Sequence, residues 1–265
     1  MKNTRLHYLL PLIILAMLLQ TTGYAQEQES DSTSVKKFDM EMEPTLGKKD
    51  VDTDGKPIKY PRLFGGITFT RIDWGFSRLI DDGSFTLSPD NQFLDYSRAS
   101  NFGFDVAQIG LRFTDMFKMY LSTGFEWNYL RLKSNIILDT DATPLAYRDS
   151  DVAYSRNVLT STYLRVPLTF ELRSRKNRHG DRAKIAFGAM TGVLLKGTQR
   201  LRSPEYGRQK FRDNYNLASF QYGVFTRVGF DSFGVFAKYY LNDMFENSPV
   251  QQNVNNFTFG LTLGF

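Results

Sequence analysis

The chain contains no cysteine, which excludes disulfides, thiolate metal sites and a lipid-modified cysteine anchor. It has only two histidines and two tryptophans among 265 residues. It also lacks a helix-length apolar run. Leu9 to Leu19 is apolar but contains Pro11 and falls short of the roughly 20 residues that a membrane helix needs. No strong charge of one sign is present either: the formal charge is +5, and Lys2 and Arg5 supply two of those positive charges. That balance is too mild to indicate a nucleic-acid partner.

The apolar run has a different reading. Lys2 and Arg5 precede it and Gly23-Tyr24-Ala25 follow it. A positive start, a short apolar core and small residues at the cleavage positions predict a secretory signal over 1–25, exported through the Sec pathway and cleaved after Ala25. Residues 26–62 are polar, mixed in charge and poor in apolar bulk. Such a stretch buries too little apolar surface to offset its ordering entropy and reads as a flexible periplasmic tail. Asp50, Asp52 and Asp54 followed by Gly55 resemble the start of a calcium loop. The glutamate that completes such a loop is missing, so a solvated tail is the simpler reading.

What is abundant is alternation. In Asn255 to Phe265 (NNFTFGLTLGF), Phe257, Phe259, Leu261, Leu263 and Phe265 share one face, and Thr258, Gly260, Thr262 and Gly264 share the other. An apolar face backed by small residues matches the closing strand of an outer-membrane barrel, with phenyl rings toward lipid. A mean hydropathy of -0.35 is compatible with this, because lipid-facing residues alternate with lumen residues. The 23 Phe and 14 Tyr fit aromatic girdles. Period-two segments bounded by Gly, Asn, Asp and Ser predict strands at 63–78, 103–113, 119–133, 159–173, 183–198, 216–230, 233–242 and 255–265. The connections between them alternate long and short, as in a barrel with short periplasmic turns and long outer loops. The predicted fold is therefore all-β: an eight-stranded antiparallel up-and-down transmembrane β-barrel over 63–265, in the outer membrane, behind a flexible N-terminal tail.

The faces without lipid-compatible side chains carry the charges. Arg71, Asp73, Arg112, Glu126, Arg165, Glu171, Arg227 and Lys238 are expected in the lumen, together with Gln108, Asn128, Phe225, Phe236 and Tyr240. An eight-stranded bore is just wide enough for side chains to fill it, so these charges should pair into a plug. Pro167 lacks an N–H and should mark a bulge or a local break in its ladder. Two basic clusters lie elsewhere. Arg200, Arg202, Arg208, Lys210 and Arg212 fall in an outer loop, as candidate lipopolysaccharide contacts. Arg175, Lys176, Arg178 and Arg182 fall in a periplasmic turn, as a candidate docking surface.

Tyr163-Leu164-Arg165-Val166-Pro167-Leu168 resembles a "YLxVPL" segment of the small Gram-negative outer-membrane barrels called PorT-like. The run from Phe220 to Phe230 and the stretch Phe236-Ala237-Lys238-Tyr239-Tyr240-Leu241 are similar to further segments of that family, over roughly 63 to 265. The resemblance implies a cell-envelope barrel, and its namesake member takes part in protein secretion and gliding. No enzyme is expected, since a rim enzyme generally needs a general base. His7 lies in the leader and His179 in a periplasmic turn. The carboxylates Asp139, Asp141, Asp149 and Asp151 read as a solvated loop. No cofactor is expected. Three roles remain: a structural or interaction protein, whose partners are outer-membrane lipid, lipopolysaccharide and other envelope or secretion proteins; a narrow transporter or ligand-binding barrel; and, last, an envelope enzyme.

Overall fold

The structure, a computed structural model, describes residues 41–42, 60–177 and 181–264. The leader, most of the tail with its aspartate triplet, and His179 lie outside the described residues. Among the described residues eight long strands run in chain order: β1 (Arg62–Asp81), β2 (Leu94–Arg112), β3 (Phe117–Leu132), β4 (Arg156–Arg173), β5 (Ala183–Ser203), β6 (Phe220–Phe230), β7 (Phe233–Tyr240) and β8 (Val254–Leu263). Each pairs antiparallel with the next. β8 then returns to β1, from Val254 opposite Asp81 to Leu263 opposite Ile72. The sheet thus runs round into a ring, and each of the eight strands is paired on both sides.

Alternation explains why these segments are strands. Along β3 every second side chain is buried, from Lys118 to Leu132. Along β6 exposed and buried residues alternate from Phe220 to Val228. The outward rows hold Trp74 at 63% exposure and Leu261 at 56%. In water such a continuous apolar wall would be an aggregation surface; against hydrocarbon it is matched to its solvent. Connections 82–93, 133–155, 204–219 and 241–253 gather at one end, and 113–116, 174–182 and 231–232 at the other, beside the start of β1.

Several boundaries differ from the sequence expectation. β2 begins at Leu94, not near 103, and β5 runs on to Ser203 to form a hairpin with Gly207–Arg212, where a loop over 199–215 was expected. The β5 extension and its hairpin turn Arg200, Arg202, Arg208, Lys210 and Arg212 outward and carry no lipid-facing row, so they lack the pattern that marks a membrane strand. The sixth strand, expected from 216, begins at Phe220, because Tyr215 and Leu217 turn inward into a core.

That core is a second departure. At the long-loop end the interior is apolar: Leu79, Leu130, Leu132, Leu159 and Val254 point inward from the strands. Ile136, Leu138, Leu145, Leu217 and Phe245 fold over them from the connections. Ile136–Leu138 pairs with Tyr147–Asp149, giving the longest connection its own small hairpin. The inner face of the barrel therefore changes character along its height, with charged residues in the lower part and a soluble-type core at the top.

Pro167 interrupts the ladder on one side only. It keeps regular register with Met190 of β5, with no bulge from Tyr163 to Arg173. Toward β3 the pairs between Leu121/Leu168 and Gly124/Arg165 drop out without a shift of register. Real bulges lie in β1, between Ile67 and Thr70 and between Thr70 and Asp73, where Phe69 and Arg71 have φ of 45° and 50°. Non-glycine residues rarely adopt that region. Here the distortion brings Arg71 inward beside Asp73.

Candidate functional site

Asp73, Asp105 and Glu126 from β1, β2 and β3 face Arg71, Arg165, Arg227 and Lys238 from β1, β4, β6 and β7, and all seven are buried. Arg165 is the hub. Its guanidinium donates to Asp73 Oδ2 at 2.8 Å, Asp105 Oδ1 at 2.8 Å and Glu126 Oε2 at 3.2 Å. Arg71 Nε donates to Asp105 Oδ2 at 2.6 Å, and its Nη2 to Gln108 at 2.8 Å. Arg227 Nη2 lies 2.9 Å from Asp73. Lys238 Nζ bridges Asp73 at 2.9 Å and Glu126 at 3.0 Å. Glu126 is completed by Asn101 at 3.0 Å and by the Tyr240 hydroxyl. Neutral–charged hydrogen bonds of this kind fill the lone pairs that ion pairing leaves open, which is what makes burial of so many charges tolerable.

Glu171 stands apart from that cluster. It accepts from Lys118 at 3.1 Å, Arg173 at 2.6 Å and Tyr120 at 3.0 Å. The expected lumen charges therefore pair in two groups: Glu171 is held chiefly by Lys118 and Arg173, and Arg227 by Asp73. Tyr120 links the two groups, since the Arg71 guanidinium sits 4.8 Å from its ring centroid. Arg112 is half-exposed at the short-turn end, over the Phe64 ring at 5.9 Å.

Asp105 and Lys118 are network members that sequence reasoning missed. Gln108 and Arg112 set the inward parity expected for β2, which puts odd-numbered Asp105 on the lipid side. A register shift between Asp105 and Ala107 lets both Asp105 and Gln108 face inward. Lys118 precedes the predicted strand start, although the period-two pattern extends to it.

Above the charges, Asn101, Asn128 and Asn256 form an amide layer. A cavity of about 20 Å³ lies there among Asn128, Tyr163, Tyr240 and Asn256, room for about one water. Over this sits the apolar cap. Buried side chains of the described residues pack the bore at both levels, and the arrangement braces the wall.

The two basic clusters have different fates. On the β5 hairpin, Arg200 lies opposite Lys210, Arg202 opposite Arg208, and Thr198 opposite Arg212. Directly opposed residues share a face, so all five predicted cations stand on one surface. Buried Gln199 and Leu201 occupy the inner face. In the short turn Arg175 and Lys176 are exposed, and Arg178 lies outside the described residues. Arg182 is not free for docking: it pairs with Asp115 at 2.8 Å and donates to its carbonyl at 3.2 Å, bracing the neighbouring turn.

No curated protein and no solved structure matches the chain significantly. Residues 62–246 match the outer membrane protein beta-barrel domain family. The match begins with β1 and ends before β8, whose pairing with β1 completes the ring. With its apolar outer wall, closed strand ring and sorted connections, the chain belongs to the outer membrane protein beta-barrel domain family.

Proposed function

We propose that this outer-membrane barrel acts as a non-enzymatic, non-conducting interaction protein of the cell envelope. The observation that carries the reading is the filled bore: seven buried charged residues pair across the lower lumen, under an apolar cap. A barrel so closed has its outer loops, its short-turn end and its wall left for recognition. The resemblance of the Tyr163 to Leu168 segment to PorT-like barrels supports partners among envelope proteins, secretion components included. The exposed Arg175 and Lys176 and the segment before β1, of which Glu41 and Met42 pair parallel with Phe64 and Gly65, suit contacts in the periplasm. Planar bilayer recording on purified protein is the test: baseline current is expected. Steady single-channel steps would replace this reading with a transporter.

A ligand-binding barrel is the second reading. It is favoured by a rim cleft of about 820 Å³ among Phe220, Tyr222, Leu241, Phe245, Glu246 and Gln252. Widening it with Phe245→Ala should then change binding of a small ligand while current stays at baseline.

A further inference from the structure

The cationic face of the hairpin is wider than one loop. Arg156 lies opposite Arg202, and Arg131 opposite Val158, which in turn faces Arg200. Three adjoining strands and the hairpin therefore present one continuous basic surface. Arg202, Arg208, Lys210 and Arg212 on it are exposed. The charged neighbours that lower the Lys210 pKa are all cations: Arg212 first, then Arg200 and Lys196. Arg200 Nε, buried under its neighbours, has no hydrogen-bond partner. Arg131 at the margin faces Asp95 across the β2–β3 pair, while β4, β5 and the hairpin bring Arg156, Arg200, Arg202, Arg208, Lys210 and Arg212 onto one face.

Its height on the wall says what could offset it. Phe102, Phe104, Phe125 and Trp127 pack against one another on the outside of β2 and β3, with centroids 5.8–6.3 Å apart. Interlocked aromatics at this level mark the interface between hydrocarbon and headgroups. Trp127 lies opposite Thr162, and Thr162 opposite Lys196. On β5 Lys196 stands in that same row and Arg200 and Arg202 follow four and six residues higher, about 13 and 20 Å up, while β4 adds Arg156 beside Arg202. Basic groups thus start where the acyl chains end.

We infer that this wall binds a phosphate-bearing glycolipid of the outer leaflet, with acyl chains against β3–β5 and phosphates on the Arg200–Arg212 hairpin face. Guanidinium forks match phosphate oxygens in geometry and charge. The inference goes beyond the interaction role proposed above and does not depend on whether the bore conducts.

The test uses full-length mature protein in nanodiscs, with phosphorylated or enzymatically dephosphorylated lipid A as the probe and native mass spectrometry as the readout. Retention of the phosphorylated form should exceed that of the dephosphorylated form about tenfold or more. The triple variant Arg208→Gln, Lys210→Gln, Arg212→Gln should abolish that preference while keeping the heat-modifiable mobility of a folded barrel. A double variant, Arg175→Gln with Lys176→Gln, should leave it intact. Equal retention of the two lipids by the wild type overturns the inference, even if the triple variant fails to fold. So does polyglutamate competing as strongly as the phosphorylated lipid, which would reassign the surface to an acidic protein.

Discussion

Glu126 is the residue on which the lumen depends most directly. It accepts from Arg165, Lys238, Asn101 and Tyr240 at zero exposure. Glu126→Gln leaves two buried cations with one fewer carboxylate and is expected to cost about 3–5 kcal/mol, read as a lower urea midpoint in detergent. Glu171→Gln should cost less, because Arg173, one of its partners, is 19% exposed and reaches solvent. Arg112→Gln should change stability by at most about 1 kcal/mol, since Arg112 is half-exposed. Most of the network was legible in the sequence, because a charge on the face opposite an apolar row has only the lumen to enter. Asp105 was not, since the shift that turns it inward is a backbone event without a residue signature. The partners of Glu171 were not legible either, because parity assigns a face and says nothing of height.

At the scale of elements, the seam between β8 and β1 is held by close backbone approach. Gly75 lies opposite Gly260. A Cβ on Gly260 would sit 2.3 Å from both the Gly75 Cα and the Trp74 carbonyl oxygen, with no flexible side chain to move aside. Gly260→Val is therefore expected to prevent seam closure and abolish the heat-modifiable folded band on a gel. Gly83→Val, in an outer connection where nothing lies within 4 Å, should retain that band despite the strain of its positive φ. The strands facing lipid were readable from their period. The polar extension and hairpin over 199–212 were not, because no hydrocarbon lies beside them to demand an apolar row. The apolar cap was hidden for a related reason. Leu130 and Leu132 continue the inward parity of Glu126 and Asn128, and a face that changes from charged to apolar looks like a lapse in pattern.

For the whole molecule the sorted connections set the orientation. The wild type has no cysteine, so single cysteines at Thr143 or Tyr206, both exposed at the long-loop end, should label on intact cells with an impermeant thiol reagent. A cysteine at Asn177, exposed in a short turn, should label only after the envelope is opened. Labelling of Asn177 alone on intact cells would invert the topology. The same global view gives the Asp73 cluster another meaning. Its carboxylate is met by Arg165, Arg227 and Lys238, which come from β4, β6 and β7, more than a neighbouring strand away around the ring. No single hairpin can assemble that set, and a slip by one residue would turn its charges toward hydrocarbon. Mutual neutralisation of the cluster is thus tied to the correctly zipped cylinder, in which all four strands are in register.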